Sequence, residues 1–196
     1  MRKVHFATTN KGKVSSVGGA LRPYGIEVAH YPIELPEPRS DSLKEIARSK
    51  VVFAYDQIKR PCFALDSGFY VGSLNGFPRT FVNFALDTIG IEGILKLVDS
   101  KPRDCVFKNC LAYLDSGLTE PAYFESEATG VLSDSPAGDT RDYHWSELFK
   151  IFIPTGSDKT LAEMSFDEYQ GWRRQRQSES FTTKFGEWFS KREEVG

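Results

Sequence analysis

Strand-like and helix-like hydrophobic patterns alternate along the first part of the chain. Residues 3–9 read as an apolar strand, and the segment 11–21 that follows reads as a helix ending near Pro23. Residues 26–33 alternate between apolar and polar side chains, as a half-buried strand does. Strands and helices that succeed one another in this way are typical of an α/β protein.

The clearest helix is predicted at residues 42–58, after a Pro-rich loop at residues 34–40. Its apolar residues recur at spacings of three and four, so they line one side of the helix, and we assign the charged residues to the other side. These apolar residues are Leu43, Ile46, Ala47, Val51, Ala54, Tyr55 and Ile58. Ser42 precedes the helix with Glu45 three residues later, which is a capping-box pattern.

The remainder of the chain predicts a different order of elements. Residues 61–71 read as a strand that leaves into a glycine-containing turn, and residues 80–90 and 91–99 read as two short helices. Strands predicted at 105–115 and 122–132 are joined by turn residues and therefore predict a hairpin. The other predictions are an irregular segment at 134–146, a strand at 148–154 and an amphipathic helix from about 178 to 192. Early alternation followed by a hairpin predicts an α/β protein with a mixed sheet.

Composition narrows the class of protein further. A chain of 196 residues is expected to form one domain, or two lobes that share one core. The net charge of -2 gives no broad basic footprint, so neither nucleic acid nor a membrane surface is an expected partner. The three cysteines form no C-x-x-C pair, and no apolar run reaches about 18 residues. We therefore expect a reduced cytoplasmic protein without a membrane segment.

The first candidate site follows the first predicted strand. Thr8, Asn10 and Lys13 are spaced T-x-N-x-x-K at a strand-to-helix junction, where free backbone N–H groups and the helix dipole favour phosphate. A threonine hydroxyl and an asparagine amide donate to phosphate oxygens, and Lys13 adds a compact positive charge. The same three residues would also serve as a polar turn with a solvated lysine.

The second candidate site is the sequence LDSGF at residues 65–69. Asp66 is expected at the end of an apolar strand, where open α/β sheets bind their ligands. Its carboxylate could bind Mg²⁺ or orient a water molecule, and a plain Asx turn explains it equally well. Acidic residues also occur in the Pro-rich loop, and one of them, Glu37, could complete a metal site with Asp66. They are Glu34, Glu37 and Asp41.

Taken together and in order, these motifs resemble the inosine-triphosphate pyrophosphatase family. The resemblance continues through LNGFPRTFVNFALDTIGIEGILKLV, similar to the L-N-G-x-P-G-x-Y segment of that family. It returns at IFIPTGSDKTLAEM, and it spans nearly the whole chain at compatible spacings. The resemblance implies one nucleotide-pyrophosphatase-like domain over residues 1–196, with an elongated mixed sheet flanked by helices and two lobes around a central cleft. It also implies a homodimer.

The resemblance further implies an activity and a set of site residues. Members of the family hydrolyse nucleoside triphosphates to monophosphate and pyrophosphate with Mg²⁺. Matched position by position, the implied roles are phosphate binding by Thr8, Asn10 and Lys13, metal binding by Glu37 and Asp66, catalysis by Asp66, and a substrate contact by Ser67.

Several positions depart from the family pattern. Leu65 stands where a second acid often precedes the catalytic aspartate, and Arg79 replaces the last glycine of L-N-G-x-P-G. SELFK, residues 146–150, stands where the family has an aromatic segment against the base. The family pocket for 6-keto purines ends in E-K-N-x-x-S-H-R, which aligns with EYQGWRRQ in this chain. Tyr169 thus takes the Lys position, Arg173 the Ser, Arg174 the His and Gln175 the Arg.

Two functions are compatible with a sequence that keeps the phosphate-binding residues of the family but replaces the residues of its base pocket. In the first, the protein is a nucleoside-triphosphate pyrophosphohydrolase acting on a non-standard purine, and Tyr169, Arg173 and Arg174 contact the substrate. Trp172 and Arg176 would complete the new base pocket. In the second, the protein binds nucleotides with little or no catalysis, as a sensor or partner subunit. The segment WRRQRQ would also suit a basic, solvated helix face.

Overall fold

The computed structural model describes residues 1–192, and the last four residues of the predicted domain lie outside that part. The strands are β1 (Arg2–Ala7), β2 (Ile26–Tyr31), β3 (Cys62–Val71), β4 (Pro78–Arg79), β5 (Asp104–Leu114), β6 (Ala122–Leu132) and β7 (Phe152–Pro154). The α-helices are α1 (Lys11–Leu21), α2 (Leu43–Ile58), α3 (Val82–Thr88), α4 (Gly90–Leu97), α5 (Phe166–Gln175) and α6 (Phe181–Ser190).

One mixed sheet contains the seven strands of residues 1–192, in the order β2-β1-β3-β5-β6-β7, with β4 paired to β3. β1 pairs with β2 and with β3 in parallel, whereas β3–β4 and β6–β7 are antiparallel. β5 and β6 are neighbours in the sheet and follow each other in the chain. The predicted α/β class, the mixed sheet and the hairpin are therefore confirmed.

The helices begin where polar side chains cap them. Asn10 is the N-cap of α1, and its side chain accepts a hydrogen bond from the backbone of Lys13. Ser42 caps α2 in the same way, accepting from the backbone of Glu45. The predicted capping box of α2 is only half formed, because the Glu45 carboxylate accepts from the Ser40 hydroxyl at 2.6 Å. α5 has a complete capping box, formed by its N-cap serine and the glutamate three residues later.

Two predictions about strands are wrong. Residues 66–68 lie inside β3, which continues to Val71 because its second half pairs with β4, so no turn follows Leu65. The predicted strand 148–154 is a 3₁₀ turn at Glu147–Lys150 followed by the short β7. Ser146 caps that turn, which bends the chain before it can extend.

The chain divides into two compact units. Within the described residues, unit 1 comprises residues 1–66, 109–126 and 178–192, and unit 2 comprises residues 67–108 and 127–177. The core of unit 1 is Val4, Phe6, Val17, Leu21, Ile26, Phe63, Leu65, Leu111, Tyr113, Phe124, Phe185 and Phe189. The core of unit 2 is built largely from β3, α4, β5 and residues 148–169. The predicted cleft between lobes stays a prediction.

Two further sequence-based expectations can be compared with the structure. Cys62, Cys105 and Cys110 are all free thiols in the interior. Among the helices formed by residues 1–192, none has the length and apolar character needed to cross a membrane.

Candidate active site

The predicted phosphate-binding residues lie at the junction of β1 and α1 in unit 1. Asn10 Oδ1 accepts a hydrogen bond from the backbone N–H of Lys13 at 2.9 Å, and the backbone N–H of Asn10 donates to Thr8 Oγ1 at 3.1 Å. The Thr8 backbone is held on both sides, because its N–H donates to Tyr31 and its carbonyl accepts from His30 Nε2. These bonds shape the start of an 11-residue helix, whose N-terminal N–H groups favour an anion.

A buried lysine on α2 is the residue that the sequence reasoning missed. Lys50 is 7% exposed and belongs to the buried face of α2, together with Ile46, Ala47 and Ala54. We had assigned every charged residue of this helix to the opposite face, and for Lys50 that is wrong. The spacing contained the signal, since Lys50 lies four residues after Ile46 and three after Ala47.

Two carboxylates converge on the Lys50 ammonium group. Its Nζ lies 2.6 Å from Asp66 Oδ1 and 3.0 Å from Glu37 Oε1. The side chains of Lys50 and Asp66 are about nine-tenths buried, whereas that of Glu37 is mostly exposed in the Pro-rich loop. Burial alone would lower the pKa of Lys50, but the two carboxylates outweigh it and the net pKa is raised. Lys50 is therefore a charged partner of both acids.

Lys13 completes a group of four charges in unit 1. The pKa of Lys13 is lowered to about 8, mainly by burial and also by the charge of Lys50, while Asp66 and Glu37 act in the opposite direction. The phosphate motif and the acid pair, which are more than 20 residues apart in the chain, thus interact electrostatically. Two lysines and two carboxylates form one site at the β1–α1 junction.

Asp66 reaches this site from within β3. The parallel register joins His5 to Cys62 and Phe6 to Phe63, so Thr8 and Asp66 both follow the paired residues at the same edge of the two strands. Gly68 lies two residues later, and a Cβ there would be 2.9 Å from the carbonyl oxygen of Arg79. Glycine is needed at that position because β4 approaches the strand closely.

Ser67 and the predicted base-contacting residues belong to unit 2. Tyr169 is 2% exposed, and its ring packs near those of Tyr143, at 5.4 Å between centroids, and Trp172, at 5.8 Å. Arg173 places its guanidinium 5.9 Å from the centre of the Tyr169 ring, and Arg174 is exposed. The segments 143–149 and 169–173 therefore form one aromatic cluster edged by arginine. The substrate contacts of Ser67, Tyr169, Arg173 and Arg174 stay predictions.

Arg176, in the same segment, has a structural partner. Its guanidinium donates to the backbone carbonyl of Glu127. This bond ties the end of α5 to β6 within unit 2, so part of the basic run has a structural contact.

Two of the departures from the family pattern, Leu65 and Arg79, have distinct structural settings. Leu65 is 8% exposed and belongs to the apolar core of unit 1. Arg79 has a φ of 57°, in the left-handed region that glycine occupies most easily. Its guanidinium donates a hydrogen bond to the Asn75 carbonyl at 3.1 Å.

The acid pair fits a magnesium ion that shares its ligands with a substrate. Mg²⁺ is commonly held by one or two carboxylates together with water and substrate phosphates. Glu37 and Asp66 both contact Lys50 Nζ and are thus close enough to act together. Within residues 1–192 no group of three or more His, Cys, Asp or Glu side chains could hold a metal ion.

The fold and the site together define an α/β protein in which the N-terminus of α1 lies beside a lysine–carboxylate cluster at one edge of a mixed sheet. The sequence model of the Ham1 family matches residues 4–177, and the chain belongs to the Ham1 family. The resemblance seen in its motifs is thereby confirmed.

Sequence relatives agree with this membership, and a solved structure shares the fold. The chain is 37% identical to the dITP/XTP pyrophosphatase of Methanopyrus kandleri over 167 residues, covering 85% of this chain and 86% of that protein. It is 34% identical to the dITP/XTP pyrophosphatase of Pyrococcus horikoshii, with coverage of 85% and 87%. A HAM1 protein from Coxiella burnetii has the same fold, with a TM-score of 0.73, 21% identity and 97% coverage of both chains.

Proposed function

We propose that this protein is a Mg²⁺-dependent nucleoside-triphosphate pyrophosphohydrolase that converts a non-standard purine nucleotide into its monophosphate and pyrophosphate. The observation that carries the proposal is the four-charge site of Lys13, Lys50, Glu37 and Asp66 in a chain whose relatives are named dITP/XTP pyrophosphatases. Such a site has the cations to bind a triphosphate and a carboxylate to act on water.

Each site residue in unit 1 has a role in this reaction. Thr8, Asn10 and the N-terminus of α1 bind phosphate oxygens, and Lys13 and Lys50 neutralise their charge. Asp66 positions the attacking water or accepts its proton as the new phosphorus–oxygen bond forms and the bond to pyrophosphate breaks. Glu37 and Asp66 would hold Mg²⁺, which when bound supplies further charge stabilisation to the phosphates.

The aromatic cluster of unit 2 is proposed to receive the base. Trp172 offers a ring face with the buried Tyr169 packed beside it, and the guanidinium groups of Arg173 and Arg174 donate hydrogen bonds. Donors of this kind pair with a 6-keto oxygen and repel the amino group of adenine, so we expect keto purines to be preferred.

We further propose a cytoplasmic homodimer. The α3 segment of unit 2 exposes Phe81, Phe84 and Ile89, with 68% of Phe84 accessible, and adjoining exposed apolar side chains are typical of a contact with another protein chain. The three free cysteines suit a reducing compartment. Sedimentation velocity tests the dimer: Phe84→Glu should give monomers, and a wild-type monomer at micromolar concentration would contradict it.

The activity is tested with a panel of nucleoside triphosphates in Mg²⁺, including ITP, dITP, XTP, ATP and GTP, with pyrophosphate and orthophosphate measured separately. Pyrophosphate released from ITP, dITP and XTP in preference to ATP and GTP is the expected result. Nucleotide binding without release from any substrate would instead support the non-catalytic sensor.

A further inference from the structure

The ammonium group of Lys50 lies between the two proposed metal ligands, Glu37 and Asp66. Lys50 Nζ contacts Asp66 at 2.6 Å and Glu37 at 3.0 Å, and no more than a tenth of the lysine side chain is accessible. A buried ammonium group is stable only when it is paired and hydrogen bonded. Lys50 therefore depends on the same carboxylate oxygens that a metal ion would need.

The charges of the site balance without a metal. Lys13 and Lys50 carry two positive charges, and Glu37 and Asp66 carry two negative ones. A divalent cation that entered alone would have to take oxygen atoms from Lys50 and would lie beside two ammonium groups. In a partly buried site this repulsion is poorly screened.

A triphosphate changes this balance. Its oxygens accept hydrogen bonds from lysine and arginine, so they can replace the carboxylates as partners of Lys50. They also provide the additional oxygen ligands that Mg²⁺ requires. The negative charge that arrives with the nucleotide compensates for that of the metal.

We propose that Lys50 is the counter-cation of Glu37 and Asp66 in the metal-free protein, so that Mg²⁺ alone binds weakly and is taken up together with the triphosphate. Lys50 is then a positioning residue that couples metal binding to nucleotide binding. The inference rests on the proposed function, because that function assigns Glu37 and Asp66 as the metal ligands.

Calorimetric titration tests the coupling without turnover. Wild-type protein, Lys50→Met and the control Lys59→Met are titrated with MgCl₂ alone, and again in the presence of the α,β-methylene analogue of ITP, in which the scissile bond is blocked. Lys59 is a suitable control because it follows the same helix and pairs with Asp56 at 3.1 Å on the surface.

We expect the analogue to tighten Mg²⁺ binding by wild type and by Lys59→Met at least about tenfold. Lys50→Met should bind Mg²⁺ alone about tenfold or more tightly than wild type, because the competing ammonium group has gone. Wild-type binding of Mg²⁺ that is equally tight with and without the analogue would overturn the inference. So would an unchanged or weaker Mg²⁺ affinity in Lys50→Met.

Thermal unfolding provides a second readout. In EDTA, Lys50→Met should melt well below wild type, because two carboxylates lose their partner, and MgCl₂ should recover much of that loss. The same MgCl₂ should hardly change the melting temperature of wild type. If Lys50→Met does not fold in EDTA, Lys50→Gln serves in its place, since its amide donates to one carboxylate without a charge.

The outcome is separable from that of the proposed function. If wild type releases pyrophosphate from Mg·ITP while Mg²⁺ binding is independent of nucleotide, the activity stands and the role of Lys50 is rejected. If no pyrophosphate is released but the calorimetry is as expected, the coupling stands and the hydrolytic activity is rejected.

Discussion

At the scale of single residues, the central feature of the candidate site is the buried ion pair between Asp66 and Lys50. Asp66 was identified from the sequence because D-S-G is a recognisable motif, although its expected turn is a continuous strand. Lys50 has no motif of its own, and its only signal is a charged residue at an apolar spacing. A helical pattern therefore reveals a charged residue on the buried face only when the face of every charged residue is worked out separately.

At this scale we expect Asp66→Asn to reduce turnover by about 10²–10⁴-fold while nucleotide binding is retained. The amide preserves the shape of the side chain and still accepts a hydrogen bond from Lys50. Unlike the carboxylate, it cannot act as a base, and it is a weaker metal ligand. Pyrophosphate release and equilibrium binding of the methylene analogue measure the two effects. Asp56→Asn, on the exposed side of α2, is the control, and full activity of Asp66→Asn would remove Asp66 from catalysis.

A second residue-scale prediction concerns the phosphate contact. Lys13→Ala should weaken binding of a triphosphate by about 10–100-fold, the worth of one charge-assisted hydrogen bond, and leave binding of the nucleoside unchanged. Lys11→Ala is the matched control, because Lys11 lies in the same helical turn but is exposed. Equal losses for nucleoside and triphosphate would show that Lys13 supports the fold and not the phosphate.

At the scale of elements, the sequence predicted what local periodicity and caps determine. α1, α2 and the β5–β6 hairpin lie within a few residues of their predicted bounds, because each is defined by its own pattern. Asp66 was expected at the end of a strand but lies inside β3, and β7 was predicted to begin too early. Their true limits depend on pairing with β4 and β6, which lie elsewhere in the chain.

The attachment of α6 provides the prediction for this scale. Arg192, just after the helix, donates to the buried Asp115 at 3.0 Å, and Asp115 also accepts from the Tyr113 hydroxyl at 2.7 Å. Arg192→Met should lower the free energy of unfolding by about 2–4 kcal/mol, because it leaves a buried carboxylate without its counter-charge.

The control for this prediction is an ion pair of the same chemistry on the surface. Arg48 contacts Glu120 through two nitrogen atoms, at 3.0 and 3.1 Å, and both side chains are mostly exposed. Arg48→Met should therefore leave the urea midpoint almost unchanged. Equal shifts for Arg48→Met and Arg192→Met would mean that burial of the ion pair does not determine its contribution.

At the scale of the whole molecule, the three cysteines report on the integrity of both units. Cys62 and Cys110 are fully buried in unit 1, and Cys105 is 5% exposed in unit 2. Burial raises the pKa of each thiol to about 12, so only about one molecule in 10⁴ has a given thiol ionised at pH 8.

We therefore expect no alkylation of the native protein by iodoacetamide at pH 8, and reaction of all three thiols in urea. Ser116→Cys, in the exposed loop between β5 and β6, is the positive control and should react once in the native state. Mass spectrometry counts the adducts. Rapid native labelling of one wild-type cysteine would show that its unit opens readily.

The sequence by itself determined the fold class, most elements and the family resemblance. These features depend on residue types and spacings within short segments, as in Thr8, Asn10 and Lys13. They can be recognised without knowing which elements pack against one another. Only the tertiary structure brought Lys50 between Glu37 and Asp66, which lie 13 and 16 residues from it in the chain. Their meeting depends on how α2 packs against the sheet and where the Pro-rich loop returns, and no local pattern encodes those distances.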